Sequence, residues 1–359
     1  MNFKVKTYNA IAETGISLLK ESKFSVSDSE DSPDAMILRS FKLTDQDIES
    51  SIKAIARAGA GVNNVPVDLC SKNGIVVFNT PGANANAVKE IVLAGLLLSS
   101  RGIYSGANYV NDIEGIDSDD LKGHIEQGKK HFKGRELKDG VLGVIGMGAI
   151  GAKVADMGVM LGMDVIGYDP AISVEAAWKL PNMVSRRDNL ESVFAEADYL
   201  TLHIPALDET KNLVNEDLLN NAKQGLKLIN FARDEIVDSK AVIDALNSGK
   251  LGGYVTDFAD LDLIERAKTK GDVIILPHIG ASTRQAEENC SVMAAQQLKD
   301  FLENGNIINS VNFPELVEPR KSKFRITLSN NNIAGMIGQI TTILAENDLN
   351  ILNLSLIHI

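Results

Sequence analysis

The sequence is poor in cysteine, lacks a long hydrophobic run and carries fewer basic than acidic residues. Its 359 residues include two cysteines, Cys70 and Cys290. Their spacing fits no metal site, and their number is too small for a disulfide-stabilised secreted domain. The longest apolar run, residues 91–100, is too short to cross a bilayer, and the first residues lack the apolar core of a signal peptide. We therefore expect a cytoplasmic protein with no membrane partner and no metal site.

The shortage of basic residues also bears on the ligands that the protein can bind. With 36 Lys and Arg against 48 Asp and Glu, the formal net charge is −12, which argues against nucleic acid as the main partner. An anionic ligand would instead have to be bound by individual arginines. The length and the hydrophobic content of 44% are sufficient for two or three domains with buried cores.

Short apolar runs alternate with helical segments in the first hundred residues, a pattern typical of parallel sheets covered by helices. The predicted strands are 4–8, 35–39 and 75–78, and the predicted helices are 15–20, a segment through Ile48 and Ile52, and 86–101. Residues 111–134 are polar and show little periodicity, so we expect an irregular surface segment there that connects two domains.

A second set of alternating units follows this segment. The predicted strands are 141–145, 165–168, 199–203, 227–230, 254–257 and 273–276, and the clearest helices are 149–161 and 241–247. Six strands with helical crossovers predict a doubly wound parallel sheet. A long helix is predicted over 286–303.

A glycine-rich motif directly follows the strand predicted at 141–145. It reads Gly146-Met-Gly148-Ala149-Ile150-Gly151 and opens a helix. In a dinucleotide site the first glycine allows a tight turn, the second allows the backbone to approach the pyrophosphate, and the third allows close packing of helix and strand. The amides at the start of the helix then face the anion. A glycine-rich packing turn is the alternative interpretation.

The next predicted strand ends in an acidic residue, Asp169, 18 residues after Gly151. A carboxylate at about this distance accepts hydrogen bonds from the adenosine ribose and repels a 2′-phosphate. The sequence therefore predicts NAD, in preference to NADP, as the cofactor.

Two cationic residues follow later strands of the predicted sheet. Arg233 comes after the strand at 227–230, and His278 comes after the strand at 273–276. Ligands of open α/β sheets bind at the carboxyl ends of the strands. Oxidation of a hydroxy acid needs a group that exchanges a proton near neutral pH and a fixed cation for the carboxylate, which His and Arg supply. A capping or core histidine and an ion-paired surface arginine are the alternatives.

Specific motifs occur in order along nearly the whole chain. They read Arg57-Ala-Gly-Ala-Gly-Val, Asn79-Thr-Pro-Gly-Ala-Asn, Thr201-Leu-His-Ile-Pro, Asn230-Phe-Ala-Arg and Pro277-His-Ile-Gly-Ala-Ser-Thr. With the glycine-rich motif, they make the sequence similar to the D-isomer-specific 2-hydroxyacid dehydrogenases, and within that family it most resembles the members that act on D-3-phosphoglycerate. The resemblance implies that Arg233 binds and polarises the substrate and that His278 accepts the proton during oxidation.

The sequence departs from the family where a glutamate usually assists the histidine. The corresponding segment is Thr256-Asp-Phe-Ala-Asp-Leu-Asp. The resemblance places Asp257 near the nicotinamide carboxamide, and we favour Asp257 as the carboxylate that serves His278, with Asp260 and Asp262 as alternatives. A second departure is Asp234, which stands where the family usually has glycine and puts the geometry of that turn in question.

The resemblance implies further ligand contacts. For NAD they are His203, which is as compatible with a packing role, together with Pro205, Thr210 and Ala232. Arg39 and Arg57 resemble the arginines that hold the substrate phosphate, with two ion-paired surface arginines as the alternative. The remaining substrate contacts are expected from the backbone of Gly59, Ala60 and Gly61, which would hold the carboxylate, and from Asn84, which would contact the substrate or the nicotinamide.

The last part of the chain resembles the first half of an ACT domain, a small α+β regulatory module that binds amino acids. The resemblance rests on Phe324-Arg-Ile-Thr-Leu, a helix to Glu346, and Asn350-Ile-Leu-Asn-Leu. It implies an amino-acid effector such as serine. Because only half of the module is present, we expect a truncated sequence in which residues 355–359 are not native.

The predicted fold is α/β, with two Rossmann-like lobes built on doubly wound parallel sheets and a partial ACT-like module. The predicted parts are a flavodoxin-like substrate lobe (1–100 and 286–313), an NAD-binding lobe (101–285), a linker (314–323) and the ACT-like part (324–359). The family also implies a homodimer or homotetramer.

The implied activity is NAD-dependent oxidation of D-3-phosphoglycerate to 3-phosphohydroxypyruvate, the entry to serine synthesis. One alternative is another D-2-hydroxyacid dehydrogenase, such as a glyoxylate or hydroxypyruvate reductase. The other is a non-catalytic NAD-binding regulator.

Overall fold

A computed structural model of the chain describes residues 2–9, 11–22, 24–320, 322, 324–328 and 333–356. The chain divides into two compact units. Unit 1 combines Met1–Asn84 with Arg284–Ile359, and unit 2 is Ala85–Thr283. Within the described residues, no helix combines the length and the apolar character that crossing a membrane requires.

Unit 1 is built on a five-stranded parallel sheet. Its strands are β1 (Lys4–Tyr8), β2 (Ser25–Ser27), β3 (Ala35–Leu38), β4 (Ala54–Arg57) and β5 (Val76–Phe78), in the order β2-β1-β3-β4-β5. This is the 2-1-3-4-5 order of flavodoxin-like sheets. Every residue of the central strand β3 is buried, as is typical of a strand covered on both faces. The helices α1 (Glu13–Glu21) and α2 (Val67–Lys72) connect these strands.

Unit 2 begins with three helices, α3 (Ala85–Ser100), α4 (Ile103–Asn111) and α5 (Ser118–Gly128). The helix α3 packs against strands and a helix of this unit, and its Gly95 approaches Phe231 so closely that a Cβ would lie 3.1 Å from the ring. The boundary between the units therefore lies at the start of α3, one helix before the predicted boundary at residue 100.

The sheet of unit 2 has seven parallel strands. In chain order its elements are β6 (Val141–Ile145), α6 (Ala149–Met160), β7 (Asp164–Tyr168), α7 (Val174–Trp178), β8 (Ser185–Arg186), α8 (Leu190–Glu196), β9 (Tyr199–Leu202), α9 (Glu216–Asn220), β10 (Leu226–Asn230), α10 (Ser239–Asn247), β11 (Leu251–Thr256), α11 (Leu261–Lys270) and β12 (Val273–Ile275). The strand order is β12-β11-β10-β9-β6-β7-β8. It reverses between β6 and β9, which is where such sheets bind dinucleotides.

The chain then returns to unit 1 as α12 (Arg284–Asn304), and α13 (Met336–Glu346) follows. The helices α1 and α12 meet at Gly15, where a Cβ would lie 2.2 Å from Oγ of Ser291. The same hydroxyl donates a hydrogen bond to the carbonyl of Ala12 at 2.8 Å. A side chain larger than hydrogen at position 15 would push the two helices apart.

The predicted α/β class with two doubly wound parallel sheets is confirmed, and two local predictions are wrong. The segment through Ile48 and Ile52 is a short 3-10 turn over Asp45–Asp47 followed by extended chain, because the carboxylate of Asp47 accepts a hydrogen bond from the amide of Thr44 and closes the turn. Both isoleucines still reach the core of unit 1.

The segment 111–134 is also more regular than predicted. It contains the helix α5, which lies in unit 2, and the imidazole of His124 stacks on Tyr109 of α4 at 5.5 Å. This aromatic contact gives the polar helix a packing partner that its composition did not suggest.

The predicted half ACT module is not confirmed. The helix α13 forms, but residues 324–328 and the described residues after 350 are not strands. A strand needs a hydrogen-bonded neighbour, and these segments pair with no other described segment. Residues 357–359, which end the expected non-native stretch, lie outside the described residues.

Candidate functional site

The glycine-rich loop between β6 and α6 has the backbone that a dinucleotide site requires. Gly146 has a φ of 88° and passes so close to the carbonyl of His203 that a Cβ would lie 2.5 Å from the oxygen. At Gly151 a Cβ would lie 1.8 Å from the carbonyl oxygen of Gly146. At Gly148, in contrast, a Cβ would meet no protein atom within 4 Å. The backbone of the turn is therefore packed tightly against protein atoms at Gly146 and Gly151, whereas Gly148 faces space that a ligand could occupy.

The open side of the loop carries the features that bind a pyrophosphate. Gly148 precedes α6, a helix of 12 residues, so the amides of Ala149 and Ile150 lie in its first turn, where the helix dipole favours an anion. Asp169, after β7, lies beside the loop and accepts hydrogen bonds from the amides of Met147 at 2.8 Å and Ala171 at 2.9 Å. These residues fit the diphosphate and adenosine ribose of NAD.

The segment after β9 forms a loop that is held by side-chain hydrogen bonds and lies next to the glycine-rich turn. His203 is partly buried, its ring lies 3.1 Å from the hydroxyl of Thr201, and burial lowers its pKa to about 3. The hydroxyl of Thr210 donates to the carbonyl of Pro205 at 2.7 Å and accepts from the amide of Leu207 at 2.8 Å. In this structure Thr210 shapes the loop, and His203 is a neutral group beside it.

The end of β10 is organised by Asn230, a fully buried residue. Its amide donates to the carbonyl of Arg233 at 2.8 Å, and its side-chain oxygen accepts from the amide of Ala232 at 3.0 Å. The guanidinium of Arg233 donates to the carbonyl of Ala232 at 2.5 Å. Asn230 thus positions Arg233. Sequence analysis quoted this residue within a motif and assigned it no role, although a buried polar residue at a strand end was a usable signal.

Asp257, at the end of β11, holds the loop that carries His278. Asp257 is 3% exposed, and its two oxygens accept from the amides of Ile279 at 2.9 Å and Gly280 at 2.6 Å. The amide of His278 donates to the carbonyl of Asp257 at 3.1 Å, and His278 itself has a φ of 55°, in the left-handed region. Asp257 therefore acts on His278 through the backbone of this turn.

The side chain of His278 is exposed at the same edge of the sheet. Its ring meets the ring of Phe258 edge to face at 5.1 Å. The two alternative carboxylates are placed differently. Asp260 caps α11 by accepting from the amides of Asp262 at 2.9 Å and Leu263 at 3.2 Å, while Asp262 is exposed on α11 itself.

A different carboxylate acts electrostatically on His278. Asp234 and Glu235 line a cavity of about 200 Å³ together with Phe258. The hydrogen bond between the two carboxyl groups is the main cause that lowers the pKa of Asp234, and the electrostatic interaction with the nearby His278 contributes in the same direction. The same hydrogen bond raises the pKa of Glu235. Asp234 therefore keeps the negative charge of the pair. Sequence analysis noted Asp234 only as a departure from glycine.

In unit 1 the two predicted arginines belong to neighbouring strand ends. Arg39 follows β3, and its guanidinium pairs with Glu287 of α12 at 2.6 Å. Arg57 ends β4 and donates from Nε to the carbonyl of Arg39 at 3.1 Å, and Asn64 donates to the same carbonyl at 3.2 Å. The structure therefore links Arg39 and Arg57 through the backbone.

The loop after Arg57 is shaped by that arginine. A Cβ on Gly59 would lie 1.7 Å from Nη1 of Arg57, so only glycine leaves room for the guanidinium. The amide of Gly59 donates to the carbonyl of Arg57 at 2.8 Å, and the carbonyl of Ala60 accepts from the side chain of Asn79 at 2.7 Å. These bonds fix the course of the loop up to Gly61.

Asn84 is the last residue of the first segment of unit 1. Among the described residues its side-chain oxygen is a buried atom without a hydrogen-bond partner. An unpaired buried acceptor is costly unless a ligand donates to it, so this oxygen fits a ligand that carries an N–H or O–H donor.

Residues 104–280 match the family model described as the NAD-binding domain of D-isomer-specific 2-hydroxyacid dehydrogenases. This range contains the glycine-rich loop, Asp169, Arg233 and His278. The match confirms the cofactor NAD that the glycine-rich loop and Asp169 predicted.

Curated relatives extend the similarity to the rest of the chain. The chain is 34% identical to a D-3-phosphoglycerate dehydrogenase of Synechocystis over 94% of its own length and 61% of the relative, and 29% identical to that of Bacillus subtilis over 95% and 64%. It thus spans less than two thirds of these relatives. For the Haemophilus influenzae enzyme of the same name the identity is 34% over 86% of the chain and 74% of the relative.

Solved structures share the fold. An NAD⁺-bound 3-phosphoglycerate dehydrogenase of Entamoeba histolytica is 28% identical, with a TM-score of 0.69 over 87% of this chain and 99% of that structure. A D-lactate dehydrogenase of Escherichia coli at 23% identity, with a TM-score of 0.67 over 86% and 99%, shares the fold alone. Given the identity to the Haemophilus influenzae relative over three quarters of its length, this chain belongs to the D-isomer-specific 2-hydroxyacid dehydrogenase family.

Proposed function

We propose that the chain catalyses the NAD-dependent oxidation of D-3-phosphoglycerate to 3-phosphohydroxypyruvate. The observation that carries the proposal is the placement of Arg233 and His278 at one edge of the sheet that also bears the glycine-rich loop. The names of the relatives support the choice of substrate, and so do the two linked arginines of unit 1.

The nicotinamide of NAD supplies the hydride acceptor. The pyrophosphate would lie against the amides at the start of α6, and the adenosine ribose against Asp169. The loop around His203 contributes a neutral surface, because the lowered pKa of this histidine keeps it uncharged near neutral pH. These residues would bind and orient the cofactor, and the His203 side chain would add no positive charge to the site.

Arg233 binds the substrate. Its guanidinium can make two parallel hydrogen bonds to the carboxylate, and its charge stabilises negative charge that develops on the oxygen at C2. Asn230 fixes the backbone on both sides of Ala232, so the guanidinium starts from a defined position. Preorganisation of this kind lowers the barrier because little reorientation remains at the moment of reaction.

His278 moves the proton. During oxidation a ring nitrogen of His278 would accept the proton of the C2 hydroxyl, and bound NAD would accept the hydride from C2, which leaves a ketone and a protonated histidine. In the reverse direction the protonated histidine returns the proton to the oxygen.

Arg39 and Arg57 are proposed to hold the phosphate of the substrate, and the loop over Gly59 to Gly61 to hold its carboxylate end. Arginine suits a phosphate because its planar group donates two parallel hydrogen bonds to phosphate oxygens. A family member that acts on unphosphorylated hydroxy acids has no need of this pair.

The first test is formation of reduced cofactor by the purified chain with NAD and D-3-phosphoglycerate, with D-glycerate and D-lactate in parallel and a trap for the keto product. Turnover of the phosphorylated acid alone is expected. Turnover of only the unphosphorylated acids would show that the chain has another dehydrogenase activity of the family. NAD binding without any turnover would favour a regulatory role.

Arg233→Ala gives the matching test of the site. We expect kcat/KM to fall by about 100-fold or more, because a charge-stabilising donor is lost, while NAD binding measured by titration is retained. Arg101→Ala, at the exposed end of α3, is the control and should leave turnover unchanged. Undiminished turnover in Arg233→Ala would exclude the assigned role.

A further inference from the structure

Arg39 is held by an internal carboxylate. The N–O distance to Glu287, in the first turn of α12, is 2.6 Å, and the side chains are 29% and 45% exposed. Ion pairs that remain in contact with water contribute little net stability. Glu287 can therefore be displaced from Arg39 at low cost by a stronger anion.

The groups around Arg39 hold its backbone in place, so that its guanidinium can change partner from one anion to another. The carbonyl of Arg39 is fixed by Arg57 and Asn64, so the backbone keeps its position when the guanidinium changes partner. The neighbouring carboxylate of α12, Glu288, lies 3.5 Å from Arg284 on its own helix. Glu287 is thus the acidic group that pairs with Arg39, and Glu288 is occupied elsewhere.

We propose that Glu287 competes with the anionic group of the substrate for Arg39 and so sets the affinity with which Arg39 binds it. The inference rests on the proposed function, in which Arg39 receives the substrate phosphate. Binding then exchanges one anion for another at the same guanidinium.

The exchange favours a doubly charged ligand. A phosphate carries a charge of about −1.5 to −2 near neutral pH and three acceptor oxygens, so it gains more from Arg39 than the carboxylate of Glu287 loses. A singly charged ligand replaces like with like and gains almost nothing. Because every anion has to break the same Arg39–Glu287 pair, Glu287 lowers the affinity for each of them by about the same factor, and a doubly charged anion remains the ligand that Arg39 binds more tightly.

The test compares Glu287→Gln with Glu288→Gln and the unchanged chain. Glutamine keeps the size of the side chain and removes the charge. We expect Glu287→Gln to bind inorganic phosphate about two- to fivefold more tightly, the range that a partly exposed ion pair supports. The affinity for singly charged acetate should rise by about the same factor, because both anions displace the same carboxylate. Glu288→Gln should bind both anions like the unchanged chain.

Binding is measured calorimetrically, with thermal unfolding as a check that each variant is folded. Unaltered or weaker phosphate binding in Glu287→Gln would overturn the proposal, as would an unchanged chain that binds no phosphate. If Glu287→Gln loses stability, Glu287→Ala is measured in its place, with the same expected direction.

Two further results separate this inference from the proposed function. Arg39→Gln should abolish the difference between the Glu287 variants, because the competing cation is gone. If the unchanged chain fails to oxidise D-3-phosphoglycerate but the phosphate titrations behave as expected, the proposed substrate is wrong and the competition at Arg39 stands.

Discussion

Asp169 combines two roles at the dinucleotide loop. It accepts hydrogen bonds from two backbone amides, of which that of Met147 belongs to the glycine-rich turn. In the proposed NAD site it also places a negative charge where the 2′-phosphate of NADP would lie. The first role needs only an acceptor oxygen, whereas the second needs the charge, so a substitution can separate them.

Asp169→Asn retains an oxygen for Met147 and removes the charge. Because a carboxylate repels a 2′-phosphate, we expect the ratio of kcat/KM for NADP to that for NAD to rise about tenfold or more. Steady-state kinetics with both cofactors measures it. Asp164→Asn, at the exposed opposite end of β7, is the control with an expected unchanged ratio. If the ratio of kcat/KM for NADP to that for NAD were the same in both variants, Asp169 would not contact the ribose.

Asp234→Asn tests the charge that acts on His278. Oxidation leaves a positive charge on the histidine, and Asp234 is the ionised member of its carboxyl pair. Loss of this charge should lower kcat about two- to tenfold and leave KM for NAD unchanged. Asp234→Glu should recover part of the rate, and Asp262→Asn on the exposed face of α11 serves as control. An equal loss in Asp262→Asn would mean that Asp234 has no special effect.

Sequence analysis proposed residues for the site but could not give their contacts. Arg233 and His278 were predicted because each lies three residues after the end of a strand, at the carboxyl edge of the sheet. The partners of Asp257 and Asp234 were not predictable, since they depend on how the loops after β10, β11 and β12 fold over one another. Asp257 uses both oxygens on backbone amides, which no spacing of residues indicates.

The same contrast holds for the secondary-structure elements. Strands such as β6 and β9 are buried apolar runs bounded by polar or turn residues, so the sequence predicted them to within a residue or two. The strand β8 has two exposed residues and carries no hydrophobic pattern. The helix α5 has no apolar stripe, and its packing on Tyr109 is a tertiary contact. The sequence thus predicted the elements whose local hydrophobic pattern indicates burial. It did not predict the elements that are formed by contacts with residues distant in the sequence.

In the segment formed by β6, the glycine-rich loop and α6, substitutions of two glycines can distinguish an effect on NAD binding from an effect on folding stability. Gly151→Ala places a methyl 1.8 Å from the carbonyl oxygen of Gly146, and we expect a loss of about 2–3 kcal/mol of unfolding free energy. Gly148→Ala meets no protein atom and should alter stability by less than about 1 kcal/mol, while weakening NAD binding about tenfold or more because the backbone can no longer approach the pyrophosphate.

Urea unfolding and NAD titration of both glycine variants check this contrast. Tight NAD binding by Gly148→Ala would show that the pyrophosphate does not approach that residue. Full stability of Gly151→Ala would contradict the close packing of β6 and α6.

For the whole molecule, His203 links stability to pH. Its pKa is about 3 in the folded chain and about 6.5 in an unfolded one, so below about pH 6.5 the unfolded chain binds more protons. His203 therefore does not reduce the free energy of unfolding above about pH 6.5. As the pH drops from there toward 3 this free energy decreases, with an expected loss of about 1–2 kcal/mol at pH 5 from this group.

Unfolding by urea at about pH 7 and about pH 5 measures this loss. His203→Gln should reduce the difference between the two pH values, whereas His124→Gln, an exposed histidine of α5, should retain it. If His203→Gln shows the full acid loss, other groups cause it.

The chain thus consists of two parallel-sheet units with different chemistry. Unit 2 carries the groups proposed to bind a dinucleotide and to exchange a proton, and unit 1 carries the paired strand ends with Arg39 and Arg57.

The attachment of His278 to β11 has a consequence for local motion. The histidine follows β12, a strand of three residues at the edge of the sheet, and such edges open more readily than the sheet interior. Its turn is nevertheless fastened to Asp257 by three hydrogen bonds. Fraying of β12 can expose its amides to hydrogen exchange while His278, the proposed proton acceptor, stays in register with the inner strands.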